Sequence, residues 1–281
     1  MPQMGEAMRM SRFCSVAMAL LLCSAQPVHS ETEPASAPDQ PAPSLRRADK
    51  PGVYLRLGVG LDEPERSRYR DDSCSSIDPP ALFGCVRTTD GRPLGARGSF
   101  DSTVVVDAAL GYRFLPWLRA EGLLSWRPSM DFSGQSNFIG AGDLQPVTGS
   151  VSSLAGFGVA YVDLPPIGLV QPFLGAGVGA AHNQMGAMRY SFPALSANVT
   201  TTTPDGSRTN LAYLLTAGLS VPIGDRLNLD LAYRYTDLGQ VQTSAGEATV
   251  VRSRGTRRID IGGTHADLQS HGAMISLRYA F

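Results

Sequence analysis

From Gly52 onward, apolar and polar residues alternate one by one. The clearest stretch is 227–236, where Leu227, Leu229, Leu231, Tyr233 and Tyr235 interleave with Asn228, Asp230, Ala232, Arg234 and Thr236. A helix, repeating every 3.6 residues, would mix the two sets, whereas a strand puts them on opposite faces. The C-terminal segment behaves alike: Ala273, Ile275, Leu277, Tyr279 and Phe281 share one face, and Met274, Ser276, Arg278 and Ala280 the other. Six further segments read as strands, at 52–61, 101–114, 117–127, 148–163, 170–183 and 209–223. Eight strands are therefore predicted.

The connections follow a short–long rhythm. Phe114–Trp117, Leu164–Gly168 and Ile223–Arg226 are tight turns carrying Pro or Gly. The alternate connections, 62–99, 128–147, 184–208 and 238–268, are long. All tight turns thus fall at one end of the strands and all long loops at the other. The pattern predicts an all-β fold over residues 51–281: an eight-stranded antiparallel up-and-down transmembrane β-barrel with short periplasmic turns and long extracellular loops. A soluble eight-stranded barrel is the competing architecture and would turn its apolar face inward. The Leu/Tyr face runs a whole strand without a polar interruption while the other face carries charge, which suits lipid outside and polar groups inside. Aromatic residues at strand ends (Trp117, Trp126, Tyr233 and Tyr235, with Tyr279 and Phe281 at the turn end) fit the girdles of two lipid–water interfaces.

Composition narrows the picture. Only 17% of the residues are charged, against about 25% in soluble domains, so little charged surface faces water. The 24 basic and 25 acidic residues balance, which excludes a nucleic-acid partner. A mean hydropathy near zero is too low for a polytopic helical membrane protein, and 43% apolar content is too high for a disordered chain. A lipid face averaged with a polar lumen face explains both.

The N-terminus reads as an address. Arg9 and Arg12 precede the apolar run Phe13–Leu22, and Val28-His29-Ser30 offers small residues for cleavage. Residues 1–30 are expected to be a secretory signal peptide, cut after Ser30 or earlier, after Ala25. Leu22 before Cys23 does not fit a lipoprotein site. Residues 31–50 form a Pro/Ala-rich tether. Signal removal leaves Cys74 and Cys85, which in an exported chain read as one disulfide closing a short loop; unlinked thiols are the other reading.

Three stretches carry a family likeness: Val170-Gln-Pro-Phe-Leu-Gly-Ala-Gly-Val-Gly-Ala180, Leu229-Asp-Leu-Ala-Tyr-Arg-Tyr-Thr-Asp-Leu-Gly239 and Ile275-Ser-Leu-Arg-Tyr-Ala-Phe281. The chain resembles the opacity-type, OmpA-like eight-stranded outer-membrane barrels of Gram-negative bacteria over about residues 52–281. The resemblance implies an outer-membrane location among lipids and lipopolysaccharide. It also implies folding by the outer-membrane barrel assembly machinery, which reads the last strand through Tyr279 and Phe281. A long cysteine-bearing first loop departs from the family pattern.

The inward face is expected to hold Arg56, Asp107, Arg113, Arg119, Glu121, Asp230, Arg234 and Arg278. Isolated buried ions are costly, so these should pair, either as a plug or as the lining of a weakly conducting pore. Gly175-Ala-Gly-Val-Gly-Ala180 mimics a nucleotide-binding spacing but lacks a following helix; its glycines 175, 177 and 179 share one face and leave room for inward neighbours such as arginines. No catalytic, metal or cofactor site is expected. Ser270 and His271 are adjacent and point to opposite faces, and His182 has only Ser153 or Asp237 as speculative partners. Specificity is expected in the loops. Loop one alternates acids (Asp62, Glu63, Glu65, Asp71, Asp72) with Arg66, Arg68 and Arg70. Loop four carries Arg252, Arg254, Arg257 and Arg258, suited to lipopolysaccharide phosphates or an acidic host surface. The function expected is an envelope structural protein with an adhesion or recognition role at its surface. A narrow passive porin is the alternative, and a lipid A-modifying enzyme a distant one.

Overall fold

The computed structural model describes Ala48 and residues 50–281 apart from Thr89; the expected signal peptide and all but two residues of the expected tether lie outside the described residues. Among the described residues the strands are β1 (Gly52–Pro64), β2 (Ser67–Asp71), β3 (Ala96–Phe100), β4 (Thr103–Leu115), β5 (Leu118–Ser136), β6 (Pro146–Asp163), β7 (Gln171–Met185), β8 (Arg189–Ser191), β9 (Thr200–Thr202), β10 (Gly206–Pro222), β11 (Leu227–Thr243), β12 (Gly246–Arg252), β13 (Gly255–Ile261) and β14 (Thr264–Ala280).

Eight of them form the wall. β1, β4, β5, β6, β7, β10, β11 and β14 pair antiparallel in that order. β14 then returns to β1 in continuous register from Tyr54↔Ala280 to Pro64↔Ser270. The ring closes, so each wall strand has a neighbour on both sides and no edge is left open.

Strand length is the first surprise. β5 has 19 residues and β6 18, while crossing a bilayer takes about 9–11. The excess lies at the loop end, and there the polarity reverses. In the turn half of β5, Leu124 and Trp126 point out and Arg119, Glu121 and Arg127 point in; in the loop half, Asp131, Ser133 and Gln135 point out and Met130 and Phe132 are buried. β11 does the same, with Leu231 and Tyr233 outside over Asp230 and Arg234, then Gln240 and Gln242 partly exposed over Leu238 and Val241. Each long strand is a membrane strand below and a soluble-barrel strand above. Alternation alone predicted the first and rejected the second; both are present, at different heights.

Bulges mark the reversal. β5 shifts register between Arg127 and Met130, and β11 between Asp237 and Gln240, where Gly239 adopts φ +73°. An extra residue in one strand flips which parity faces inward, so strict alternation ends at 127 and 237 although the strands do not. Hence the expected long loops at 128–147 and 238–268 shrink: only 137–145 joins β5 to β6, and the second is mostly the β12–β13 hairpin. The carbonyls freed at the β11 bulge are taken up by Asn183, whose Nδ2 donates to Leu238 O (2.9 Å) and Gln240 O (3.1 Å).

The remaining strands build upward from the wall. β2 and β3 pair with each other and dock onto β14 and β5. β8, β9, β12 and β13 form a leaf attached to β6. Between β2 and β3, Cys74 and Cys85 are joined by a disulfide (Cα–Cα 4.9 Å). Asp71 ties that loop down, accepting the backbone N–H of Phe83 (3.1 Å) and Gly84 (2.7 Å). Burial of the Asp71 carboxyl raises its pKa above the ordinary carboxylate value, against the pull of those N–H donors.

Candidate functional site

In the turn half of the lumen, strand parity aims charged side chains at one another across the barrel. All eight residues expected to face inward are buried there. Arg56 grips the Glu121 carboxylate, with Nε 3.2 Å from both oxygens and Nη2 closer still to Oε1. Tyr161 and Tyr54 donate to the same carboxylate at 2.8 and 3.1 Å. Asp107 accepts from Arg234 (2.6 Å) and lies 3.7 Å from Arg56. Asp230 holds Arg278 at 3.1 and 3.2 Å, and the same guanidinium reaches Ser220.

Three charged partners, Asp163, Asp62 and Arg127, are not among the residues expected to face inward, nor are Tyr54 and Tyr161. Asp163 receives both Arg119 (3.1 Å) and Arg113 (2.9 Å). Asp62, expected in loop one, is instead the inward end of β1 and pairs with Arg127 at 2.6 Å, with Ser270 donating at 3.1 Å. Parity held the signal: 54, 56 and 62 share a face, as do 119, 121 and 127, and 161 and 163. Each missed residue sat at a predicted strand end, where a bulge, a turn or a charge run hid its phase. With them, the buried lumen set among the described residues comes to six arginines and five carboxylates.

Arg119, paired with Asp163, also lies against aromatic rings. Its guanidinium carbon lies 4.1 Å from the Tyr161 ring centroid and 5.0 Å from that of Phe173, within cation–π range of both. Of the inward glycines, Gly175 makes room for the Tyr161 ring rather than for an arginine, since a Cβ there would sit 2.6 Å from Tyr161, while Gly177 faces Val159 and Gly179 the backbone of Gly156. The cavity left among Arg56, Arg119, Tyr161, Asp230 and Arg234 is about 10 Å³, no more than one water needs.

Above the ions the lumen is apolar. Tyr69, Met130, Phe132, Met185, Leu238 and Val241 belong to one buried cluster. Phe132 meets Tyr69 and Phe100 with centroids 5.0 and 5.1 Å apart. This corrects the expectation of a polar inner face along the whole strand. An apolar second layer closes the loop half.

The cluster opens at the top into a recess of about 480 Å³ between the loop elements, within the range of small-molecule sites. Phe138 forms its floor, stacked on Phe83 (5.2 Å) and edge-on to Phe192 (5.6 Å) and Tyr190 (6.0 Å). Burial pushes the Tyr190 hydroxyl well above its ordinary pKa, so it stays protonated. Val250, Ile259 and Arg252, from the β12–β13 hairpin, form one wall.

The other expected residues fall as follows. Trp117, Trp126, Tyr233, Tyr279 and Phe281 all face outward, and Tyr235 is half-exposed. Trp126, Tyr233 and Tyr235 lie mid-strand rather than at strand ends, at the upper edge of the apolar belt, because the strands continue beyond it. Ser270 points in and His271 out, as parity required. His271 sits between the Tyr233 hydroxyl and Glu65 (2.7 Å). His182 contacts Thr209 (2.9 Å), Ser153 bonds Asn183 inside the wall, and Asp237 accepts from Tyr213, so the speculative Ser153/His182/Asp237 set is not brought together. No cluster of potential metal ligands occurs among the described residues.

A closed ring of eight antiparallel strands, apolar outside and ionic within, defines an outer-membrane β-barrel of Gram-negative type. The chain belongs to the outer membrane protein beta-barrel domain family, whose model matches residues 15–281. It is 28% identical over 197 residues to an uncharacterized protein of Brucella abortus strain 2308, covering 66% of this chain and 67% of that one. It is 29% identical over 195 residues to a candidate adhesin of Rickettsia felis (67% and 79%). Among solved structures it is similar to the outer membrane protein OprG from Pseudomonas aeruginosa (14% identity, TM-score 0.49, 84% and 99% covered) and to Neisserial surface protein A (14%, 0.42, 82% and 97%).

Proposed function

We propose that this protein is a plugged envelope barrel: its wall anchors it in the outer membrane, its lumen is structural, and its extracellular loops carry adhesion or recognition. The observation that carries the reading is the lumen itself, where charged side chains are paired and the cavity among Arg56, Arg119, Tyr161, Asp230 and Arg234 is about 10 Å³. Eight-stranded walls leave an interior just wide enough for side chains to fill. The candidate adhesin of Rickettsia felis is in line with a recognition role for the loops. The same reading assigns residues 1–30 to export, Tyr279 and Phe281 to recognition by the barrel assembly machinery, and no catalysis to the molecule.

Planar-bilayer recording of refolded protein tests it. Silence is expected from the native chain, and steady current steps would make it a narrow porin instead. Glu121→Ala strips Arg56 of its close partner and leaves Asp107 at 3.7 Å. The variant should lose about 3–5 kcal/mol of unfolding free energy and show current flicker. Unchanged stability together with unchanged silence would remove the ion network from the account.

A further inference from the structure

The extracellular recess has an apolar floor, and its charged rim is of one sign. In the β12–β13 hairpin, directly opposed residues share a face. Val250↔Arg257, Ala248↔Ile259 and Arg252↔Gly255 therefore place Arg252 and Arg257 on the same side as Val250 and Ile259, the side that lines the recess. The hairpin's carboxylates, Glu247 and Asp260, oppose each other on the other side, where Glu247 pairs with Arg258 at 3.2 Å. Among the described residues no carboxylate is within ion-pair distance of Arg252 or Arg257, and both are exposed. Two guanidiniums as diagonal neighbours, roughly 7–8 Å apart at the backbone, can share one anionic group, and beside them opens an aromatic hole.

We propose that the recess binds a single-chain anionic amphiphile, its alkyl chain over Phe138, Phe192 and Ile259 and its carboxylate between Arg252 and Arg257. A bare phosphate would use the arginines and leave the aromatic floor wet. A neutral hydrocarbon would use the floor and leave the guanidiniums without a counter-charge. Only a ligand with both parts uses both. The free edge of β13 does not favour a peptide strand instead, because Arg257 and Arg258 lie along it, the kind of charge that blunts strand addition. The inference rests on the loops being the recognition face.

The test is photolabelling with a diazirine-bearing dodecanoate, on the full barrel refolded into phosphatidylcholine nanodiscs, with labelled peptides mapped by mass spectrometry. Label is expected on 138–141, 190–199 and 250–259, displaced by dodecanoate but not by dodecanol. R252Q/R257Q should cut loop labelling about tenfold or more, the factor that a charge-assisted hydrogen bond supplies, with R252K/R257K retaining most of it. Label confined to the lipid-facing belt, or equal displacement by dodecanol on the native chain, would overturn the proposal; the latter comparison holds even if the double variant misfolds. Bilayer silence is independent of all these outcomes. A conducting barrel with labelled loops would refute only the plug, and a silent barrel without loop label would refute only the ligand.

Discussion

Gly175 shows how far a single position matters in so narrow a lumen. Its Cβ would lie 2.6–2.7 Å from the Tyr161 ring, and that ring both donates to Glu121 and underlies Arg119. Gly175→Val should therefore displace Tyr161, uncouple the two ion clusters it joins, and cost more than the about 1–3 kcal/mol of ordinary overpacking. Gly122→Val is the control, because a Cβ there meets nothing within 4 Å and the position faces lipid; it should stay within about 0.5 kcal/mol of the native barrel. Urea midpoints of vesicle-embedded protein compare them, and equal midpoints would mean that Tyr161 is not held as described. The eight lumen charges could be named from sequence because parity is binary: once a strand's phase is known, every second residue is assigned. What parity does not contain is the partner across the barrel. Asp163 receiving Arg113 and Arg119, or Tyr161 serving two clusters, depends on the stagger of the closed ring, which no single strand encodes.

At the level of elements, loop one is fastened by a titratable group. Asp71 accepts the amides of Phe83 and Gly84, placing Phe83 on Phe138 at the floor of the recess. Its pKa is raised in the docked loop, chiefly by burial, and returns to the ordinary carboxylate value when the loop opens. In the window between the two values the docked form binds more protons than the open one. Docking should therefore strengthen as pH falls through that window and weaken as pH rises through it. Amide protection at Phe83 and Gly84, corrected for intrinsic exchange, checks the sign; Asp71→Asn should flatten the profile, and protection that grows with pH would contradict the burial argument. In sequence Asp71, between Arg70 and Asp72, is one more member of the alternating charge run of loop one. Its burial follows from the β2–β3 hairpin continuing the wall, and five-residue strands beyond a bulge carry too few alternations to be read. The turn ends were legible for the opposite reason: Pro and Gly at 116, 165, 166 and 224 punctuate them locally.

The molecule as a whole combines two barrels of opposite polarity on one set of strands. In the membrane half, lipid supplies the apolar surroundings and the lumen is held by ion pairs; in the loop half, water lies outside and the lumen must supply the apolar phase itself. One continuous hydrogen-bonded wall is stable in both because backbone closure does not depend on which face is wet. On β5 and β11 the bulges at Arg127/Met130 and Asp237/Gln240 shift the parity where the outer solvent changes, whereas β14 passes the same height in unbroken alternation. This makes the cost of a charge on the outer surface a function of height alone. On β11, Leu229→Arg and Leu231→Arg place a guanidinium in the belt, where about 2–4 kcal/mol is expected near the midplane. Gln242→Arg, on the same strand above the bulge, faces water; it loses the bond from Arg208 (3.1 Å) and sets two guanidiniums side by side, and should still cost less than about 1 kcal/mol. The reverse holds within: Val241, fully buried in the apolar cluster, should tolerate aspartate far worse than its half-exposed neighbour Gln242. Unfolding free energies of the outer series in vesicles should step between 235 and 240, at the level of Tyr235 and the β11 bulge. A profile that declines smoothly to Thr243, or a penalty at Gln242 equal to that at Leu231, would show that the membrane covers the loop half as well, and the two-polarity barrel would have to be abandoned.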